Sequence, residues 1–227
     1  MNFRQLRSDT DQRYNEVVIL LNYIAANESD NPLEPDLNEV KITRGLAYVH
    51  LYAAFERSIN DLVTQIIISI GSFNVVHFHY VPQFNTIAAN KHLKSFKDSS
   101  YKKFVSKSTE LIEKLNCREV PSLDETVLAR YLQNIWYETL VDIREVFGIK
   151  PMIEDPRIRT TVDEIVGNRN AIAHGRQSPI AIGQSQKSTV IREKLNLLQQ
   201  VNHDTIDDFE DYFSGKKFIK PSSRRFY

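Results

Sequence analysis

The chain has 227 residues, 41% of them hydrophobic, with Lys+Arg and Asp+Glu both at 29, enough apolar material for a substantial core. That balance excludes a global basic field, so any anion site has to be built locally. The single Cys117 excludes an internal disulfide framework. The charged start MNFRQLRSDTDQR lacks an apolar signal core, and no run approaches the roughly 18 apolar residues of a membrane span. The composition reads as a soluble, cytoplasmic chain with no membrane partner.

Few breakers interrupt it, 7 Gly and 8 Pro, and they cluster between periodic runs, which favours long helices. Phe3 to Ala26 reads as a first helix with Leu6, Tyr14, Val17, Val18, Leu21 and Ile24 on one side. After the turn-rich NESDNPLEPD comes the longest apolar segment, Leu37 to Ile70, with helical steps at Ile42, Leu46, Val49, Ala53, Val63, Ile67 and Ile70. At roughly 100° per residue, Glu56 falls about 20° from Val49, inside that stripe. Asn60 lies one turn further on.

Gly71 to Asn90 breaks the pattern, and VVHFHYVPQF reads as extended or irregular. His77 and His79 have no Cys or carboxylate cluster beside them, so no metal site is assigned. Lys91 to Asn116 reads as one or two helices carrying Lys91, Lys94, Lys97, Lys102, Lys103 and Lys107, a phosphate-attracting surface or a solvated face. Cys117 has no local histidine and is not read as a catalytic thiol. Leu123 to Phe147 reads as helical, broken or bent near Asn134, with Val127, Leu128, Tyr131, Ile135, Trp136, Leu140, Ile143 and Val146 inward. GIKPMIEDP then leads into the most informative stretch.

That stretch, Asp155 to Arg176, opens on an Asp155-Pro156 cap and stops at Gly175. Ile158, Val162, Ile165, Val166, Ile172 and Ala173 make an apolar stripe, and Arg169 lies in its middle, about 20° from Val162. A guanidinium there needs a carboxylate, a bound anion or a second subunit. Glu56 is the economical partner, and removing half of a buried pair costs about 3–5 kcal/mol. A plain structural ion pair fits the same residues. Beside the stripe run Asp163, Gly167, Asn170 and His174, where a helical glycine costs about 1 kcal/mol and suggests a close backbone approach. RQSPIAIGQSQ reads as a loop. Ser188 to Phe213 reads as a last helix with Ile191, Leu195, Leu198, Val201, Ile206, Phe209 and Tyr212 inward. The tail KKFIKPSSRRFY is basic and aromatic, as an RNA-touching segment is and as frayed termini also are. With no repeat or linker, the expectation is one all-α domain, residues 1–227, with 72–122 as an irregular or helical insertion.

Arg169-Asn170-Ala171-Ile172-Ala173-His174, then Gly175, is R-N-x-x-x-H at the end of a helix. It resembles the signature of the HEPN superfamily, whose ribonuclease members carry Arg, a few residues, then His. AAFERSIND resembles that family's acidic second-helix motif, and the run into DYFSGKKFI resembles the close of the RiboL-PSP-type branch. The resemblance implies an antiparallel helical bundle of HEPN type with additional helices. It also implies a metal-independent endoribonuclease without cofactor, acting on single-stranded RNA as a homodimer, in a toxin pair or in phage defence. Arg169 and His174 would be catalytic, Asn170 and Glu56 supporting, and Lys94, Lys97, Lys102, Lys103 and Arg176 RNA-binding. A cognate antitoxin or regulatory partner is implied too. Where related toxins controlled by a nucleotidyltransferase carry a tyrosine two residues after the histidine, this chain has Arg176. Other readings are a non-catalytic RNA- or nucleotide-binding module and a structural interaction domain.

Five residues separate Arg169 from His174, so on a regular helix they diverge by about 140°. Either the helix distorts near Gly167 or a second copy completes the site. A histidine capping the last carbonyls is the plain structural alternative for His174.

Overall fold

The computed structural model describes residues 1–29, 31, 33–150 and 155–227. Among them there is no strand, only an isolated bridge between Tyr80 and Ile219. The α-helices are α1 (Phe3–Asn27), α2 (Asn38–Gly71), α3 (Pro82–Ala88), α4 (Asn90–Lys97), α5 (Phe104–Asn116), α6 (Tyr137–Phe147), α7 (Pro156–Ala173), α8 (Pro179–Gly183) and α9 (Ser188–Ser214). Among the described residues no helix is long and apolar enough to cross a membrane.

The spine is α2, and α1, α7, α8 and α9 all pack on it. Polar pairs along the helices give their directions. Arg13 meets Asp61 and Glu16 meets His50, so α1 runs antiparallel to α2. Arg7 pairs with Asp207 and Glu210 while Asn22 accepts from Arg192, so α1 is antiparallel to α9 as well. The seven inward positions read on α9 are all buried, each contributing about 1.5–3 kcal/mol through its apolar area.

Five readings change. On α2, Ile42, Leu46 and Ala53 are exposed and Val49 is half-buried. The buried side is instead Val40, Ala47, Tyr48, Leu51, Tyr52, Phe55, Ile59 and Leu62, running on into Val63, Ile66, Ile67 and Ile70. A helix apolar on several sides does not declare its core face by period alone. Residues 123–136 are irregular, with turns at 125–130 and a 3-10 turn at 131–133. The Asp124 side chain bonds the Thr126 backbone and hydroxyl there, and Asn134 is extended. Tyr131 and Trp136 are therefore exposed, and only from Tyr137 does the helix begin. The segment read as irregular holds a 3-10 turn at 77–79 and then α3. The tail is not frayed: Phe218 and Ile219 are fully buried, Phe218 packs on Phe84 and Phe213, and the Val81 N–H donates to the Phe218 carbonyl.

The stretch after Gly175 is not the loop expected from sequence but contains α8. Ser178 caps it by accepting from the Ala181 N–H at 3.2 Å, and Pro179 takes the first position. Two glycines let it lie directly on α2. A Cβ on Gly45 would come within 2.2 Å of the Pro179 carbonyl oxygen, and one on Gly183 within 1.8 Å of the Lys41 carbonyl oxygen. Nearby, Arg44 is buried and paired with Asp36, with Glu28 at 3.4 Å and the Gln186 carbonyl at 2.8 Å. The connection into α7 lies partly outside the described residues.

Candidate active site around Arg169

Helix α7 is set by its ends. The Asp155 side chain accepts from the Arg157 N–H at 2.9 Å, with Pro156 in the first turn. At the other end Gly175 takes φ +66°, and the Arg176 N–H closes on the Ala171 carbonyl at 2.8 Å. Between them the helix runs unbroken past Gly167, so the expected distortion is absent. The close approach is absent as well among the described residues, where a Cβ on Gly167 would meet nothing within 4 Å.

The buried edge of α7 runs through Val162, Ile165, Val166 and Asn170. Arg169 lies at the border of that edge rather than at its centre, its side chain 24% exposed. Ile172 is half-buried and Ala173 exposed, so the stripe fades toward the helix end and leaves the guanidinium a path to solvent.

Three elements meet at Arg169. From α2, the Tyr52 ring lies under the guanidinium, 4.5 Å from its central carbon, a cation–π geometry. One turn on, a Glu56 Oε2 is 3.7 Å from Nη2. From the 131–136 turn, Asn134 Oδ1 accepts from Nη1 at 3.2 Å. From α7 itself, Asn170 Oδ1 accepts from Nη1 at 2.7 Å. The platform beneath is tied together: the Tyr52 hydroxyl accepts from the Ile135 N–H at 3.0 Å, and Asn60 donates to the Leu132 carbonyl at 3.2 Å.

Every hydrogen bond the guanidinium makes among the described residues goes through Nη1. Nη2 and Nε keep their donors, since Glu56 stands beyond hydrogen-bond distance. Burial raises the Glu56 carboxyl above its ordinary value, with Arg169 and the Tyr52 hydroxyl pulling it back down. Burial also pushes the Tyr52 hydroxyl up to about 12, so it stays a neutral phenol. His174 occupies the C-cap position, is exposed, and makes no side-chain hydrogen bond or ion pair among the described residues. This arrangement can offer an anion a fixed guanidinium with free donors and, at the same helix end, an accessible imidazole.

The RiboL-PSP-HEPN family model matches residues 8–215. The chain belongs to that family. No curated protein and no solved structure matches it. The all-α architecture is that of a HEPN fold, with the R-N-x-x-x-H stretch at the end of α7.

Within this HEPN chain the structure gathers Arg169, Asn170 and Glu56, while His174 lies at the same helix end, turned to solvent. Arg176 is exposed just beyond the cap. Lys94 and Lys97 on α4 and Lys102 and Lys103 after it are exposed, and the first two line a cleft that also holds Arg130 and Tyr131. Tyr52 and Asn134 escaped the sequence reading as site residues. Tyr52 precedes Glu56 by one helical turn, which was the available signal. Nothing local marks Asn134 beyond its place at a break. His77 is buried, its backbone N–H donating to the Glu119 carbonyl, and His79 sits 3.0 Å from the Tyr227 hydroxyl, so only His79 is engaged in packing the tail.

Proposed function

We propose that this HEPN protein is a metal-independent endoribonuclease that cuts single-stranded RNA at a site completed by a second copy of the chain. The observation that carries the reading is the Arg169 guanidinium, held through one nitrogen by Asn134 and Asn170 over Tyr52 with its other donors free. A planar fork pinned on one edge is suited to hold a phosphodiester on the other and to stabilise its extra transition-state charge. Histidine's ordinary range lets the residue type take or give a proton at neutral pH. In the reaction the ribose 2′-oxygen bonds to phosphorus and the bond to the 5′-oxygen breaks. His174 accepts the 2′-hydroxyl proton or delivers one to the leaving oxygen.

Two features support the dimer. Arg169 turns toward α2 while His174 faces solvent, and the helix between them is undistorted. Ile42, Leu46 and Ala53 leave an exposed apolar ridge on the Glu56 side of α2, a surface of the kind an isologous contact covers.

The test is cleavage of labelled single-stranded RNA by purified protein with a metal chelator present. The expected products end in 2′,3′-cyclic phosphate and 5′-hydroxyl, DNA and 2′-O-methylated RNA resist, and Arg169→Ala and His174→Ala lose most activity. Cleavage that stops with chelator, or that survives unchanged in His174→Ala, overturns the reading. Binding without cleavage would mark a non-catalytic module.

A further inference from the structure

Between α4 and the turn at 127–131 lie two adjoining hollows that share Asn90, Leu93, Val127 and Tyr131. The first, about 640 Å³, has Lys94, Lys97 and Arg130 on its walls. The second, about 520 Å³, is lined by Ile87, Leu128, Ile143 and Val146, with Asp142 and Glu145 also on its wall. Both volumes are in the range of small-ligand sites.

Charge separates their roles. Among the described residues no carboxylate lies within ion-pair distance of Lys94, Lys97 or Arg130, whereas Lys107 and Lys114 on α5 pair with Glu110 and Glu119. Three cations without an ion-pair partner among the described residues surround one hollow and attract a phosphate, with Asp124 acting on Lys94 only from beyond ion-pair distance, and Asp142 and Glu145 repel one from the other. Tyr131 borders both hollows and is 56% exposed, so a π-face is available where the cationic wall meets the apolar one. The cleft is also close to the guanidinium. Tyr131 is three residues from Asn134, a chain reach of at most ~11 Å, and Asn134 is the residue that bonds Arg169.

We propose that this double cleft is a subsite for RNA flanking the cut, where Lys94, Lys97 and Arg130 hold a phosphodiester and the attached base stacks on Tyr131 in the apolar hollow. The assignment rests on the ribonuclease reading of Arg169 and His174 and adds where the strand runs. It makes cleavage efficiency depend on substrate length, because a dinucleotide has a single phosphodiester, the one held at Arg169, whereas a longer strand has a further one for Lys94, Lys97 and Arg130.

The experiment compares wild type, Tyr131→Ala and the triple variant Lys94→Gln/Lys97→Gln/Arg130→Gln on a dinucleotide and on a single-stranded RNA of about 12 nucleotides. Binding of the same labelled RNA is followed by anisotropy at several salt concentrations in a His174→Ala background. For the longer RNA, kcat/KM should fall about tenfold or more in each variant, as loss of one stacked base implies. The slope of log affinity against log salt should shrink by about 2 in the triple variant. Dinucleotide cleavage should stay within about twofold of wild type, since the phosphate at Arg169 is untouched. If both variants cut the longer RNA like wild type, the subsite is wrong and the ribonuclease reading stands. Equal losses on both substrates also overturn it, because the residues would then act on fold or chemistry. If wild type cuts neither substrate, the ribonuclease reading fails, and binding decides the cleft: a reduced salt slope in the triple variant keeps it as an RNA site, and an unchanged one removes it.

Discussion

The Arg169 guanidinium lies over the ring of Tyr52, 4.5 Å from its centroid, and Tyr52 is itself held by the Ile135 N–H at its hydroxyl. Ring and hydroxyl therefore do separable jobs. Tyr52→Phe keeps the ring face and leaves a buried N–H unpaired, which should cost about 1–3 kcal/mol of stability while folded protein keeps its activity. Tyr52→Leu removes the face too and should lower cleavage toward the level of Arg169→Ala. Thermal melts paired with cleavage rates check this; equal activity in the two variants would show that the ring does not position the arginine.

Glu56 makes a looser pair than a buried stripe would have imposed. Its side chain is 22% exposed and 3.7 Å from Arg169, so the 3–5 kcal/mol expected for a fully buried pair shrinks to about 1 kcal/mol. Its carboxyl is raised by burial above the ordinary 4.5. A raised acid binds its proton more tightly in the folded state, so its contribution to stability falls as pH climbs from 4.5 to the folded value. Relative to wild type, Glu56→Gln should thus gain stability across that window. Denaturant titrations of both proteins from acid to neutral pH measure the difference, and a relative loss with rising pH would contradict it.

The long helices were legible because their apolar period persists: α1, α7 and α9 begin and end within a residue or two of the sequence reading, and α9 buries every side chain assigned to its core. Angular counting failed where a helix is apolar on several sides. On α2 it placed Glu56 among Ile42, Leu46 and Val49, a ridge that is largely exposed, and passed over Tyr52. It failed again where packing between distant segments decides. The five residues of α8 depend on Gly45 far back in the chain, and the tail is held by Phe84 and Phe213. The Arg169 to Glu56 proximity could be inferred from two charges on two apolar helices. Asn134 could not, because its position comes from a turn with no helical period.

The glycines of α2, α7 and α8 should respond in opposite directions to alanine. Gly183→Ala puts a Cβ within 1.8 Å of the Lys41 carbonyl oxygen, and since both sides are backbone, α8 has to move away. A loss of about 3 kcal/mol is expected, the upper part of the range for overpacking, with Gly45→Ala similar. Gly167→Ala meets nothing within 4 Å among the described residues and removes the helical cost of glycine, so stability should rise by up to ~1 kcal/mol. Melting temperatures of the three variants test the contrast; a destabilised Gly167→Ala would mean that something outside the described residues packs there.

Acid should release the corner where α8 and α9 meet α2. Burial alone would raise Asp36, but the Ser29 N–H, Lys187 and Arg44 together bring it from 3.8 to about 2. A lowered acid contributes stability above its unfolded value, and that contribution is lost as pH falls through the folded one. Here it amounts to about 2 kcal/mol from the shift. Asp36→Asn should cost about 3 kcal/mol at neutral pH, the low end for a broken buried pair because Glu28 remains beside Arg44. The gap to wild type should narrow as pH drops from 3.8 toward 2. A pH-independent gap would assign the loss to packing instead of charge.

The shared site makes a stricter prediction than loss of activity in single variants. If each site takes Arg169 from one copy and His174 from the other, a mixed dimer of Arg169→Ala and His174→Ala chains contains one site with both residues intact and one with neither. Random exchange leaves about half the dimers mixed, so the mixture should recover roughly a quarter of wild-type cleavage although each parent is inactive. A site built within one chain recovers nothing, because every chain then lacks one residue. Subunit exchange is confirmed by tagging one variant and pulling down the other, which keeps failed exchange from passing as a negative result. The geometry favours recovery: α7 is straight through Gly167, Arg169 is drawn toward Tyr52 on α2, and His174 stands exposed at the cap, leaving the imidazole free to face another copy's guanidinium. Exchange without any return of activity would place both residues in one protomer's site and remove the shared arrangement.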